Sequence, residues 1–385
     1  MSTAHHPIAV IGAGLGGLTL ARVLTAAGVE VAVFDLDADR HARTQGGMLD
    51  IHEDSGQAAL HAAGLHEEFR RLVLPGAEAM RILDRHAAVH LEQRDEDSTH
   101  ARPEVDRGEL RDLLLDSLPA GTVRWGAKAV GTATLPDGRH RVTLAGGAAF
   151  TADLLIGADG AWSKVRPLVS AAVPADTGVC FAEADLRDAD VRHPGAAAVV
   201  GAGMLFALGD GKGFLAHRES DGSLHVYTAV SAAPGWPDGV DLTDTPAVKA
   251  AVLEQFPDWH PSLRALVADA DGPLVLRRIV ALPVGHRWDR VPGVTLLGDA
   301  AHVMSPFAGE GANGAMLDGA ELGLALLAHP GDTEAALLRY ERAMFPRAEA
   351  AAAESAAGQV LCLAADAPRG LVAQFAADQE PDQAA

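Results

Sequence analysis

Two cysteines occur in 385 residues, Cys180 and Cys362, and they form no CxxC pair. Neither a zinc site nor a redox disulfide is expected from them. The 17 histidines are scattered without metal-ligand spacing, so no metal is expected either. No Lys/Arg-rich run is present, and the net charge is −21. A field of that sign repels nucleic acid and anionic membrane, which removes both from the expected partners. An anionic cofactor would need local positive groups, such as helix N-termini and single arginines. No apolar stretch reaches the ~18 residues of a membrane span. The start, Met1-Ser2-Thr3-Ala4-His5-His6, lacks a charged segment leading into an apolar run, and the expected location is the cytoplasm. GxSxG and HExxH are absent, so no side chain is singled out as a catalytic nucleophile.

What is present is a large apolar fraction, 48%, enough for a sizeable core and a chain long enough for two to three domains. Ile8–Ile11 is a short apolar run ending in glycine. Leu15–Ala27 has helical periodicity closed by Gly28, and Val29–Phe34 is β-branched and apolar. These predict a strand, a helix and a second strand, a βαβ unit. Gly46–Gly64 reads as loop then short helix, 73–103 as an excursion, and Asp106–Leu118 as an amphipathic helix. Val123–Ala127, Ala129–Leu135, Arg141–Leu144 and Ala148–Ala152 read as a meander turning at Asp137-Gly138 and Gly146-Gly147. Leu154–Gly157 and Val294–Leu297 are continuous apolar runs suited to a sheet buried on both faces. Between 171 and 286, Met204–Leu208, Phe214–Arg218 and Leu224–Val230 are the clearest strands. A helix is expected from about Ala312 to Ala328, and another over 333–366 with Pro346 as a kink or break. The tail after Gln379 is expected to fray.

Three motifs carry chemistry. The turn Gly12-Ala13-Gly14-Leu15-Gly16-Gly17 follows a strand and opens a helix. Gly12 permits the turn, Gly14 leaves room for a pyrophosphate, and Gly17 lets helix and strand pack. Asp35, after the second strand, is placed to accept hydrogen bonds from ribose hydroxyls. The second motif runs from Gly157-Ala158-Asp159-Gly160 to Arg166. In the third, a buried strand ends at Gly298-Asp299 and leads through Pro306-Phe307-Ala308-Gly309-Glu310-Gly311-Ala312-Asn313-Gly314 into a helix. That order suits a carboxylate on a ribitol or ribose hydroxyl and backbone N–H groups aimed at an electron-rich ring. No second GxGxxG follows another strand, which argues against a separate nicotinamide-binding domain.

In this order the motifs resemble the single-component (group A, para-hydroxybenzoate hydroxylase-like) FAD-dependent monooxygenases. The chain looks most similar to the TetX tetracycline-inactivating monooxygenases over Ala42–His52, Val105–Arg111 and Gly298–Gly314. The resemblance implies an α/β fold: a Rossmann-like, GR2-type FAD-binding domain, a β-sheet substrate domain and a long C-terminal helix. The expected division is 5–72, 104–170 and 287–330 for FAD, 73–103 and 171–286 for substrate, and 331–385 for the bracing helix. It further implies a chemistry borne by FAD, with NADPH or NADH as transient reductant. The reduced flavin and O2 form a C4a-hydroperoxide that hydroxylates a polycyclic aromatic, phenolic or enolic substrate, tetracycline-like or aromatic-polyketide-like. An oxidase or dehydrogenase on the same fold stays open as the alternative. Whether the role is biosynthetic or antibiotic resistance also stays open, and a monomer is expected.

Gly12, Gly14, Leu15, Gly17, Asp35, Asp159, Pro306, Gly309, Gly311, Ala312 and Asn313 are expected at the cofactor. By resemblance Asp50, Arg107 and Asp299 join them at FAD, and Arg43 meets NADPH. A three-residue hairpin loop, Ser220-Asp221-Gly222, would pair His217 with His225 and Leu215 with Tyr227, placing all four on one face. A two-residue loop would split them. By resemblance this face is the substrate wall, with Glu183, Met204, Phe206 and Phe307. Glu183 stands where the family has an amide and Met204 where it has a basic residue, so the wall is expected to lose a cation and gain a carboxylate.

Overall fold

The computed structural model describes residues 4–43, 46–97, 101–231 and 236–379. Thr44 and Gln45 of the Ala42–His52 stretch and the tail beyond Gln379 lie outside the described residues. In chain order the strands are β1 (Ala4–Ile11), β2 (Ala32–Phe34), β3 (Met48–Asp50), β4 (Met80–Asp84), β5 (Val89–Gln93), β6 (Glu104–Asp106), β7 (Val123–Arg124) and β8 (Ala129–Thr134). They continue with β9 (His140–Leu144), β10 (Ala149–Gly157), β11 (Ala175–Leu186), β12 (Met204–Gly209), β13 (Lys212–Arg218), β14 (Leu224–Ser231), β15 (Asp271–Ala281) and β16 (Val294–Leu296).

The first sheet runs β7-β2-β1-β10-β9-β8, with β16 also on β10. Its central strands β1, β2, β10 and β16 are mutually parallel, as continuous apolar runs covered on both faces require. The helix Leu15–Ala26 packs against the helix Glu310–Ala328 through Gly16 and Gly319, where an added Cβ would lie 2.5 Å from Ala315 O and 2.3 Å from Gly16 O. The second sheet runs β15-β11-β14-β13-β12-β4-β5. One face packs on the helices Thr245–Leu253 and Pro261–Ala268 through Phe214, Phe256, Trp259, Leu263 and Leu266. The other face looks toward the Pro306–Ala308 loop. The excursion over 73–103 supplies β4 and β5, which join this second sheet.

Four expectations need correction. Val123–Ala127 does not belong to the meander: β7 is two residues long and pairs with β2 at the far edge. Gly126, at φ +66, turns the chain there, and the Gly126 and Ala127 N–H groups donate to Asp37 O and Asp35 O. Ala148–Ala152 and Leu154–Gly157 form one strand, β10, antiparallel to β9 at its start and parallel to β16 at its end. Pro346 does not break its helix, which runs on from Thr333 to Cys362, because buried Tyr340, Met344 and Ala348 hold both of its sides to the core. That helix stops at Cys362, and a separate one, Arg369–Gln379, follows. Among the described residues no helix is long and apolar enough to cross a membrane.

Candidate active site

The glycine turn separates two kinds of glycine. A Cβ on Gly12 would fall 2.2 Å from Ala158 O, and one on Gly17 2.3 Å from Gly12 O, so both are demanded by the fold itself. A Cβ on Gly14 would meet nothing within 4 Å. Gly14 is the N-cap of the Leu15 helix, which has no side-chain cap and no acid in its first turn. The open N–H groups and the space above Gly14 fit a pyrophosphate.

Around that turn, Asp35 accepts from Ala13 N (2.6 Å) and from Asp37 N (2.8 Å). Buried Asp37 pairs with exposed Arg43 at 2.9 Å. Arg111 is a residue that the sequence reading passed over. It lies one helical turn after Arg107, is 2% exposed, and donates to Ala13 O and Arg40 O. Its Nη2 is buried without a hydrogen-bond partner among the described residues. A buried, unfinished guanidinium beside an open helix N-terminus fits an anionic group such as a dinucleotide phosphate. The donor set thus fits FAD: Arg111 and the Leu15–Gly17 backbone for phosphate, and Asp35 for ribose.

The other two motifs meet across β10 and β16. Asp159 accepts from Lys164 N (2.6 Å), while its Oδ1 is buried without a partner among the described residues and burial raises its pKa. Asp299 is exposed to solvent although protein surrounds it densely. Burial raises its pKa against the charges of His302, Arg107 and Arg166. Exposed Arg107 acts electrostatically on both Asp299 and Tyr227. Asp299 carries the ribityl expectation, and Asp299→Ala is expected to lower FAD content on purification, measured by flavin absorbance per protein, while far-ultraviolet dichroism stays unchanged.

The loop Pro306–Ala308 leads to Gly309, at φ +69, whose added Cβ would sit 3.2 Å from Asp50 Oδ1. The Asn313 side chain is already committed: Oδ1 accepts from His52 N (3.0 Å) and Nδ2 donates to Asp50 O (2.8 Å). Only its backbone, with those of Gly311 and Ala312, is free to face a ring at the Glu310 helix N-terminus. β3 and β6, three residues each and unanticipated, form the ribbon that sets Asp50 there. His52 sits between Asp50 (2.8 Å) and Glu310 (3.1 Å). Burial alone would lower its pKa, but the two carboxylates carry it to about 9, so it is a cation.

The hairpin adopts the three-residue register: Glu219 N donates to Ser223 O, His217 lies opposite His225, and Leu215 opposite Tyr227. The wall residues then fall into two adjacent rows across the sheet. One row is Phe206, Leu215, Tyr227, Glu183; the other is Met204, His217, His225, Asp185. Phe307 reaches this face and meets Phe181 edge-on at 5.8 Å, within an apolar cluster that includes Met204, Phe206, Leu215, Tyr227 and Leu363. Arg277, on β15, binds Glu183 through two contacts of 2.5 and 3.1 Å, so the carboxylate carries its own cation. Burial lowers the His217 pKa to about 4 and raises that of Tyr227 to about 12. Burial also raises that of Glu219, which takes the Gly47 N–H, to about 7.

The family model described as FAD binding domain matches residues 5–355. The monooxygenase penA of Penicillium thymicola is 31% identical, over 91% of this chain and 93% of its own. The 3-amino-4-hydroxybenzoate 2-monooxygenase PtnB3 of Streptomyces platensis is 30% identical, over 89% of this chain and 85% of its own. Among solved structures, Klebsiella pneumoniae HpxO complexed with FAD and uric acid superposes with a TM-score of 0.78, covering 97% of this chain and 92% of that one at 22% identity. The tetracycline destructase Tet(51) superposes with a TM-score of 0.73, covering 98% and 95% at 19% identity. The two structural likenesses are likenesses of fold.

Proposed function

From the membership of this chain in the FAD-binding-domain family of FAD-dependent aromatic monooxygenases, we propose that it uses NADPH or NADH and O2 to hydroxylate a phenolic or enolic, ring-fused substrate. When bound and reduced, FAD supplies activated oxygen for transfer to an electron-rich carbon; the protein supplies orientation and exclusion of water. The observation that carries the reading is the two-row wall opposite the Phe307 loop. Phe206, Leu215, Tyr227 and Met204 offer an apolar surface to a flat ring system, and His217, His225 and Glu183 offer hydrogen-bonding groups beside it.

Each residue then has a task. Arg111 and the helix end at Gly14 hold the pyrophosphate, and Asp299 holds the ribityl chain. Arg43, itself exposed but paired with buried Asp37, is available to a visiting nicotinamide cofactor. Phe181, Leu215 and Phe307 keep water from the reacting carbon, which guards against loss of activated oxygen. Names of relatives range over aminohydroxybenzoate and, for a Mycolicibacterium vanbaalenii relative, urate. The substrate class is therefore drawn from the wall and kept as wide as electron-rich rings bearing hydroxyl or enol groups. Tetracyclines and aromatic polyketides belong to it.

The test is NADPH consumption by the FAD-loaded protein against a panel of tetracyclines, aromatic polyketides and small phenols. Stimulation by at least one ring compound, with a product heavier by one oxygen, is expected. A product lighter by two hydrogens would instead make the protein an oxidase or dehydrogenase. With a responding substrate, His225→Ala is expected to weaken binding about tenfold, the worth of a hydrogen bond to a charged group. Flavin content should not change.

A further inference from the structure

Two helix N-termini are open to the cofactor, and they differ in one respect. The Leu15 helix has no acid in its first turn, whereas the Glu310 helix opens with Glu310 itself. Both leave room for a ligand: a Cβ on Gly311, like one on Gly14, would meet nothing within 4 Å. A carboxylate in the first turn suits the helix, yet it opposes any negative charge that a ring placed there takes on. Buried His52 answers it. Its Nδ1 lies 3.1 Å from Glu310 Oε1, and its Nε2 lies 2.8 Å from Asp50 Oδ2. A neutral imidazole has one N–H, and ionised carboxylates only accept, so two carboxylate partners call for both ring hydrogens. Asn313 pins the arrangement: its Oδ1 accepts from His52 N, and its Nδ2 donates to Asp50 O.

We propose that His52 is a positioning residue for the reduced flavin: it cancels the charge of Glu310, so that the Glu310 helix meets the ring with its positive end. Hydride transfer from NADPH or NADH gives the flavin two electrons and one proton and leaves NADP+ or NAD+, so the ring gains one negative charge. An uncancelled Glu310 would disfavour that charge and hold the oxidised form. With His52 in place the pair is neutral, and the N–H groups of Gly311 and Ala312 act unopposed. His52 touches neither ring nor substrate; it acts through Glu310. The inference rests on the FAD-binding part of the proposed function and not on oxygen insertion.

The groups around His52 favour the cation. Burial opposes protonation, but the hydrogen bonds to Asp50 and Glu310 and the charge of Asp50 outweigh it and carry the pKa to about 9, against an opposing effect of Arg102. Arg102 is exposed and 3.9 Å from Asp50, a second and weaker cation on that carboxylate. Glu104 on β6 also senses His52, and burial pushes its own pKa well up. A negative ring should raise the His52 pKa further. Above about pH 9, reduction then takes up one more proton, at His52, and the midpoint potential of the flavin falls more steeply with pH than it does below.

The test is the midpoint potential of bound FAD, read by equilibration with reference dyes, in the wild type, His52→Gln, Glu310→Gln and the double variant. His52→Gln should bind reduced FAD about tenfold more weakly relative to oxidised FAD, a fall of about 30 mV for a two-electron couple. Glu310→Gln should raise the potential, because it removes a carboxylate and leaves the cation. The double variant should return most of the way to the wild-type value, which a link needed only for packing would not do. The wild-type potential should steepen above about pH 9, and that of His52→Gln should not. A His52→Gln potential equal to wild type would overturn the proposal, as would a double variant as low as His52→Gln. If His52→Gln retains no FAD, an unchanged potential in Glu310→Gln or a wild-type profile without the steepening overturns it instead. Potentials that shift as expected in a protein that inserts no oxygen would remove the hydroxylation reading and leave the role of His52 standing; oxygen insertion with unshifted potentials would do the reverse.

Discussion

Gly14→Val is expected to give a folded protein that purifies without FAD. The reason is the contrast within one turn. Valine at Gly12 or Gly17 would drive a Cβ into backbone, whereas a Cβ at Gly14 meets nothing in the protein. Gly14 has φ −79 and ψ 177, an extended conformation open to any residue. The cost to the fold is that of a poor N-cap, about 1 kcal/mol, or a fall of roughly 2–4 °C in Tm. The cost to the cofactor is much larger, because the side chain fills the space through which a phosphate approaches the N–H groups of the Leu15 helix. FAD affinity should fall by more than about a hundredfold, close to 3 kcal/mol. Titration of apoprotein with FAD, followed by flavin fluorescence, reads the affinity, and calorimetry reads the fold. Unchanged FAD affinity in a stable Gly14→Val protein would remove the pyrophosphate from this turn.

Asp318→Ala should have the largest effect on stability. Asp318 is fully buried, and three groups depend on it: His302 Nε2 at 2.6 Å, Arg347 Nη2 at 2.8 Å and the Gly298 N–H at 2.9 Å. Burial opposes ionisation of Asp318, but His302 and Arg347 hold its pKa below the ordinary value. Truncation would strand the buried His302 ring and the Gly298 N–H and take one of the two carboxylates that hold Arg347, at a cost of about 3–5 kcal/mol. That corresponds to about 10 °C in Tm. The network ties the Gly298-Asp299 turn to the Glu310–Ala328 and Thr333–Cys362 helices, so FAD retention should suffer with it. A Tm within about 2 °C of wild type would show that the carboxylate is dispensable to this link.

The parts of the fold legible in the sequence were those with a strong local signal. The βαβ unit showed through periodicity and glycine placement, and the Ser220-Asp221-Gly222 hairpin through loop length. That hairpin alone set the register that aligned four wall residues. What escaped had weak local signals. β3 and β6 are three residues long and exist only because each finds the other across more than fifty residues. β7 looked like its neighbours in sequence but was recruited by β2. Arg277 and Asp185 lack any motif: their importance comes from Glu183 and His225, which stand beside them only once β15 and β11 pair with their neighbours. Arg111 was within the Val105–Arg111 stretch but looked like one more surface arginine of a helix, and only the closure of the Leu15 turn against it buries the group. Helix ends, at Glu310 and Cys362, moved by a few residues because alanine-rich sequence gives no sharp stop.

The central claim is oxygen insertion by a flavin-dependent enzyme into an electron-rich ring. It is tested most directly by turnover of the FAD-loaded protein with NADPH under isotopically labelled O2, using whichever phenolic or enolic ring compound stimulates NADPH oxidation. The account predicts a product carrying one atom of labelled oxygen on ring carbon, with the second atom leaving as water. A product that loses two hydrogens and carries no label, with all the oxygen recovered as peroxide, would contradict it.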